Sequence, residues 1–142
     1  MAILGSVNTV TANEFEERLA LLCLRGSGFP KRPRDRHILY RSVIQTLDTT
    51  TPYSEQQLNM ALQNWLSEIG GVLDTDHVTL RRYLVDEGYL VRDAKGSAYS
   101  ANPVGRRIVE FEETVAALDP FALVKAAKER AAARKREHTR RT

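Results

Sequence analysis

The sequence predicts a mainly α-helical protein: a winged helix-turn-helix with a short β-hairpin wing and flanking N- and C-terminal helices. Apolar residues recur at helical spacing along most of the chain, which predicts helices. Two strand-like segments around one tight turn predict the hairpin. The 142 residues divide into an N-terminal helix and linker (1–28), a winged-helix domain (29–101), and C-terminal helices with a basic tail (102–142).

The N-terminal flank begins with about ten residues that are predicted to lack regular structure. Thr11 opens the first helix, because Thr11 and Glu14 have the spacing of a capping box. Gly26 ends this helix and starts a linker, rich in Gly and Pro, that runs to Pro33.

Two amphipathic helices are predicted next, over 34–47 and 54–69. The second has the clearer start, since Ser54 and Gln57 form a capping box. Trp65 lies on its apolar face and is expected to anchor the core.

The fourth predicted helix, over 76–87, is the candidate recognition helix. Leu80 and Leu84 share one face, which we expect to point to the core. A hairpin over 89–100 follows, and Gly96 is expected to adopt positive φ in its turn.

The C-terminal flank is predicted to contain two helices. Asn102 and Pro103 are a favourable N-cap and first-turn pair for the first one. Asp119 and Pro120 are predicted to begin a last helix, which gives way to an irregular basic tail. The first helix carries a seam that either packs on the winged helix or pairs with a second chain: Val104, Ile108, Phe111, Val115 and Leu118.

Charge is unevenly distributed along the chain. Residues 121–142 carry a net charge of +6, whereas the other 120 residues carry −3. A second basic stretch contains only one acid, Asp35, beside six cations: Arg25, Lys31, Arg32, Arg34, Arg36 and Arg41. Two basic clusters on a mildly acidic body indicate contact with a polyanion. For the tail, the alternative is that its charges serve only to keep the protein soluble.

Nine residues are predicted to contact nucleic acid, from the linker, the recognition helix and the wing: Lys31, Arg32, Arg34, His77, Thr79, Arg81, Arg82, Arg92 and Lys95. The alternative for Arg81 and Arg82 is a solvated face paired with Asp86 or Asp76. The alternative for the linker cations is solvation, or pairing with acids such as Asp86 or Glu87.

Four segments of this sequence resemble a bacterial domain of unknown function, family 2087: FPKRPRDR (29–36), YSE (53–55), DHVTLRRYLVD (76–86) and GSAY (96–99). The resemblance covers about 29–99. Members occur as short proteins and attached to helix-turn-helix transcription regulators, which implies a link to transcription. The resemblance supplies no catalytic residues.

Catalytic and metal-binding patterns are absent from the sequence. The three histidines are far apart and only Cys23 accompanies them, so there is no zinc spacing and no disulfide. No phosphate loop, dinucleotide fingerprint or nucleophile elbow occurs. We therefore expect no enzyme activity, no cofactor and no metal, and expect Cys23 to be a buried apolar residue.

The expected function is that of a DNA-binding transcription regulator, with RNA as a second candidate ligand and a homodimer formed through the terminal helices. No apolar run approaches the ~20 residues of a membrane span, and the start is not a secretory signal, which predicts no membrane partner and a cytoplasmic location. The alternative is an interaction module that binds a protein or ribonucleoprotein. A shared positive face formed by the helix and wing cations favours DNA, and acids interrupting that face favour a protein.

Overall fold

The structure, a computed structural model, describes residues 8–26 and 28–141. It is mainly helical, as the sequence predicts. Its elements in chain order are β1 (Thr9–Val10), α1 (Ala12–Arg25), α2 (Pro33–Gln45), β2 (Tyr53–Ser54), α3 (Glu55–Glu68), α4 (His77–Asp86), β3 (Leu90–Arg92), β4 (Ala98–Ala101), β5 (Glu110–Phe111) and α5 (Pro120–Arg141), with short 3₁₀ helices at Gly71–Leu73 and Glu113–Ala117.

The predicted hairpin is part of a three-stranded sheet with the order β2–β4–β3. The strands β3 and β4 pair antiparallel, and β4 also pairs antiparallel with β2, so that Tyr53 lies opposite Tyr99. Since β2 leads directly into α3, and β3 follows α4 after three residues, the sheet ties both helices to the hairpin.

Local capping explains where the helices begin. The predicted capping box of α3 is confirmed: Gln57 N donates to Ser54 Oγ over 3.1 Å, and Ser54 N donates to Gln57 Oε1 over 2.9 Å. Asp76 caps α4 by accepting a hydrogen bond from Thr79 N over 2.8 Å. Each side chain satisfies a backbone N–H that the first helical turn leaves without a partner.

The start of α1 is only half of the predicted capping box. Thr11 Oγ1 accepts the hydrogen bond from Glu14 N, as expected. The Glu14 carboxylate, however, binds the Arg34 guanidinium on α2 instead of turning back to the cap. A bidentate ion pair with a guanidinium outweighs a single hydrogen bond to an exposed backbone N–H.

One hydrophobic core contains side chains from all three predicted segments. Phe15 of α1 and Val124 of α5 are fully buried in it, and so is Trp65 of α3, which confirms that residue as a core anchor. Cys23 is buried as expected, and burial raises the pKa of its thiol to about 12. The thiolate is therefore suppressed near neutral pH.

The predicted helix over 104–118 is wrong. Residues 103–109 form turns, in which Gly105 has φ of 54° and Arg107 has φ of 60°. Asn102 caps this turn rather than a helix, since its side-chain amide donates to the carbonyls of Gly88 and Gly105. A Cβ on Gly105 would lie 2.8 Å from the Tyr89 ring, so tertiary packing selects the turn.

The heptad seam is lost with that helix. Val115 is buried as a core residue, but Ile108 is 53% exposed and does not contribute to a seam. A two-residue strand, β5, takes the place of the middle of the predicted helix and pairs in parallel with β1. The interpretation of this segment as a helical dimer seam is therefore incorrect.

Both chain ends also differ from expectation. Thr9 and Val10, predicted to lack regular structure, form β1; residues 1–7 of the same predicted segment lie outside the described residues. The last helix begins at Pro120 as predicted, but it does not give way to an irregular tail, because α5 continues to Arg141. None of the described helices is long and apolar enough to cross a membrane.

Candidate nucleic-acid interface

The helix α4 presents one face to the core and the opposite face to solvent. Leu80 and Leu84 are fully buried, as predicted from their spacing. Arg82 and Asp86 are exposed, and Val78 is 49% exposed. These three residues are four positions apart, so they form one outward stripe along the helix.

A groove of about 260 Å³ runs between this stripe, the start of α3 and the hairpin. Three of the predicted cations line it together: Arg81 and Arg82 from α4, and Arg92 from β3. Tyr99 of β4 also lines it. The helix α4 and the hairpin, which are only consecutive in the sequence, thus contribute cations to one surface.

Arg81 is the most constrained cation of the groove. Its guanidinium donates to Asn59 Oδ1 over 2.5 Å and lies 3.5 Å from Glu55 Oε1, both on α3. It also lies 6.0 Å from the centre of the Tyr99 ring. With 19% of its side chain exposed, Arg81 fixes α4 to α3 and leaves one edge toward the groove.

Arg92 also lies close to the Tyr99 ring. Its guanidinium carbon is 5.5 Å from the centre of Tyr99, and Nη2 donates to the Gly96 carbonyl over 3.2 Å. Gly96 has φ of 69°, as predicted for this turn. Lys95, next to it, is exposed at the tip of the hairpin.

A carboxylate also holds this turn. Asp93 accepts hydrogen bonds from Ser97 N and Ala98 N, and these bonds lower the pKa of its carboxyl. Because the Asp93 carboxylate binds backbone N–H groups, the turn that carries Lys95 and follows Arg92 is ordered.

Two acids interrupt the positive face. Glu55 and Asp86 line the groove beside the three arginines. The pairing predicted as the alternative does not occur: among the described residues, no ion pair joins Arg81 or Arg82 to Asp76 or Asp86. Arg81 pairs with Glu55 instead, and Arg82 remains exposed without an ion pair in that part of the chain.

His77 and Thr79 lie at the start of α4. Thr79 contributes its backbone N–H to the Asp76 cap, and this bond lowers the pKa of the Asp76 carboxyl. His77 Nδ1 lies 3.3 Å from Gln63 Nε2 on α3. Neither residue lines the groove that holds the three arginines.

The linker cations divide into two groups. Lys31 and Arg32 are exposed, and Lys31 lines a separate cavity of about 310 Å³ together with Asp86 and Glu87. Arg34 is bound within the protein: it donates two hydrogen bonds of 2.6 Å to Glu14 and one of 2.7 Å to the Thr9 carbonyl. These bonds join α2 to the N-terminal flank, and those to Glu14 raise the pKa of Arg34.

Sequence analysis missed an aromatic cluster beside this cavity. The Arg36 guanidinium lies 5.2 Å from the Phe29 ring centre and 4.8 Å from that of Tyr83, which connects the linker to α4. His37 is buried below it, with Nδ1 2.8 Å from the Tyr89 hydroxyl. Burial lowers the pKa of His37. Spacing within the chain gives no sign of this cluster, since its members come from four segments.

Cations are also plentiful on the exposed half of α5. Its 22 residues extend over about 33 Å, and the side chains from Lys128 onward are mostly exposed. Within the described residues, no group of His, Cys, Asp and Glu is arranged to hold a metal ion.

The comparisons with known proteins identify a family and nothing closer. The family model described as "Uncharacterized protein conserved in bacteria" (DUF2087) matches residues 27–101. The match covers more than half of the chain, so the chain belongs to this family. It agrees with the resemblance of 29–99 noted in the sequence. No curated protein and no solved structure matches.

Proposed function

We propose that this member of the family is a DNA-binding transcription regulator, in which residues 29–101 act as a winged helix-turn-helix and no reaction is catalysed. In the proposal α4 enters the major groove of duplex DNA, α3 sets its angle, and the β3–β4 hairpin reaches the adjacent backbone. The proposal places the protein in the cytoplasm, where bacterial DNA lies.

The convergence of Arg81, Arg82 and Arg92 on one open groove carries the proposal. Guanidinium groups on a helix and on the hairpin after it can contact one duplex together, with bases at the helix and phosphates at the hairpin. The sheet order β2–β4–β3 supports this use, because β2 joins the hairpin to the start of α3, the helix against which α4 packs.

The individual cations receive different roles from their surroundings. Arg82, exposed on the outward stripe, is assigned to base contacts, and Arg92 and Lys95 to phosphates. Arg81 positions α4 through Asn59 and offers its remaining edge to DNA. Lys31 and Arg32 add exposed charge on the neighbouring side of α4.

The test is binding of the full chain to random-sequence duplex DNA and to duplex RNA, measured by fluorescence anisotropy across a salt series. Arg82→Ala, which removes an exposed cation, is expected to weaken DNA binding severalfold. Arg81→Ala/Arg82→Ala is expected to weaken it by about tenfold or more, with circular dichroism checking that the double variant keeps its fold. Its matched control, Lys135→Ala/Arg136→Ala, removes the same charge from the exposed end of α5 and is expected to bind nearly as wild type.

The opposite pattern, in which only the α5 variant loses binding, would show that α5 is the binder and would contradict the role of α4. Tighter binding to duplex RNA than to DNA would contradict the assignment of DNA as ligand. If neither nucleic acid is bound at low salt, the proposal fails, because phosphate contacts are strongest there.

A protein partner at the same groove is the second candidate. Glu55 and Asp86 place negative charge among the arginines, and Val78 and Val85 add apolar surface. Such a mixture suits a protein or ribonucleoprotein surface better than it suits a phosphate backbone. Replacing both acids by the neutral amides separates the candidates: DNA binding should strengthen, whereas binding to a basic protein surface should weaken.

A further inference from the structure

A groove of about 910 Å³ lies between α1 and α5, outside the DNA-binding face proposed above. Its floor is apolar and is formed equally by both helices: Ala20, Leu21, Leu24, Ala122, Leu123 and Ala126. Leu21 is 42% exposed although it lies beside the core stripe of α1. An apolar floor of this kind is typical of a surface covered by another helix.

The direction of the two helices determines what lies at each end of the groove. At the start of α1, Ala12 N donates to Glu112 Oε1, eight residues before α5 begins. At the other end, Lys128 Nζ donates to the carbonyl of Glu68, and Gly28 N donates to the carbonyl of Val72. Both helices therefore run side by side toward the C-terminal end of α3.

Charged residues are separated along this direction. The first end is acidic, with Glu16 and Glu17 on α1 and Asp119 before α5. The far end is basic, and its cations are Arg25, Arg130 and Arg134. The groove is thus apolar in the middle, negative at one end and positive at the other.

These charges are not neutralised within the part of the chain that the structure describes. Neither Glu16 nor Glu17 forms an ion pair there, and the same holds for Arg130 and Arg134. Opposite charges that do face each other elsewhere, such as Arg18 and Asp35, approach to 2.9 Å. The two ends of the groove are therefore available to an external surface of opposite pattern.

We propose that the groove binds the same groove of a second copy of this chain, forming a two-fold symmetric dimer. A two-fold axis across the middle of the groove sets the two copies antiparallel, so the acidic end of each faces the basic end of the other. The apolar floors then cover each other, and the charges form a rim around them. This four-helix interface leaves α4 and the hairpin uncovered and is independent of nucleic-acid binding.

The experiment is sedimentation equilibrium of the full chain without nucleic acid. Wild type is expected to be dimeric, and Leu21→Glu to raise the dimer Kd by about tenfold or more. The matched control is Met60→Glu, which places the same charge on a side chain that is 64% exposed on α3 and should leave the Kd unchanged. Circular dichroism checks that each variant is folded.

Charge reversal tests the antiparallel arrangement. Glu16→Lys/Glu17→Lys alone and Arg130→Glu/Arg134→Glu alone should each weaken the dimer, because like charges then meet at both ends. An equimolar mixture of the two variants should recover dimers, since opposite charges again meet at both ends.

Three results would overturn the proposal. They are a wild-type protein that stays monomeric at ~100 µM, a dimer that is insensitive to Leu21→Glu, and a mixture that associates no better than either variant alone. Loss of DNA binding in the anisotropy experiment would not affect it, since the two surfaces are separate.

Discussion

The α1–α2 interface and the α4–hairpin groove use arginine in different ways. At the interface, Arg18 and Arg34 each donate two hydrogen bonds to a carboxylate of the opposite helix. In the groove, Arg82 and Arg92 have no carboxylate partner among the described residues. An arginine held by a bidentate carboxylate stabilises the fold, whereas an exposed arginine without such a partner keeps its charge available to a ligand.

This difference divides the basic residues that the sequence grouped together. Arg34 and Arg82 both lie in segments that match the family, and both were predicted to contact nucleic acid. The structure places Arg34 between α2 and the N-terminal flank and Arg82 on the exposed stripe of α4. Stability and affinity measurements on single variants should therefore separate them.

The largest effect is expected for Arg34→Ala. The variant leaves the half-buried Glu14 carboxylate without its partner and removes a hydrogen bond to the Thr9 carbonyl. Chemical denaturation should show a loss of about 1–2 kcal/mol in the free energy of unfolding. Arg32→Ala, a change at the exposed neighbour, should stay within about 0.5 kcal/mol of wild type. Equal losses in the two variants would contradict the structural role of Arg34.

A smaller effect, on affinity rather than on stability, is expected for Arg92→Ala. DNA binding should weaken about three- to tenfold, and the slope of log K against log salt should fall by about 0.9 for the lost phosphate contact. The free energy of unfolding should change little, because among the described residues Arg92 donates a single hydrogen bond, to the exposed hairpin turn. The distinction between the structural Arg34 and the ligand-binding Arg92 would be wrong if Arg92→Ala unfolded the protein and Arg34→Ala abolished DNA binding.

The smallest effect concerns pH and the buried His37. Burial lowers its pKa in the folded state, although Glu87 opposes this and Arg36 adds to it. A group with a depressed folded pKa binds protons more readily when unfolded, so its stabilisation is present above the unfolded pKa of ~6.5 and is lost as pH falls toward the folded pKa. The free energy of unfolding should thus decrease as the pH is lowered from about 7.5 to 5.5.

His37→Gln should flatten this part of the pH profile. His138→Gln, at an exposed position of α5, serves as its control and should keep the wild-type profile. If the His138 variant flattened the profile instead, the assignment to the buried imidazole would be wrong. Because His37 contacts Tyr89 beside the aromatic cluster, the size of the pH effect also shows how well that cluster shields the imidazole from water.

Much of the local structure followed from short-range patterns. The Ser54–Gln57 capping box, the buried Leu80 and Leu84, and the positive φ of Gly96 were all predicted correctly. Each depends on interactions within about four residues, where side-chain chemistry and backbone sterics decide the outcome.

The failures occurred where distant residues decide the conformation. Residues 104–118 carry helical spacing, yet β5 pairs with β1, whose residues lie 101 positions earlier, and the Tyr89 ring selects a turn at Gly105. A weak local preference for a helix cannot compete with a buried ring and a strand partner. Because the helix that would carry the predicted seam does not form, the homodimer surface proposed here lies on α1 and α5 instead.

The sequence by itself determined the family, the mainly helical character and the ends of the central helices, because these depend on motifs and on contacts between near neighbours. Only the tertiary structure decided which cations face outward. Arg34 meets its carboxylate 20 residues away, and Arg81 meets Asn59 22 residues away. Whether an arginine is paired within the protein or available to a ligand depends on which side chains the folded chain places beside it. Spacing along the chain does not determine which distant residues become neighbours.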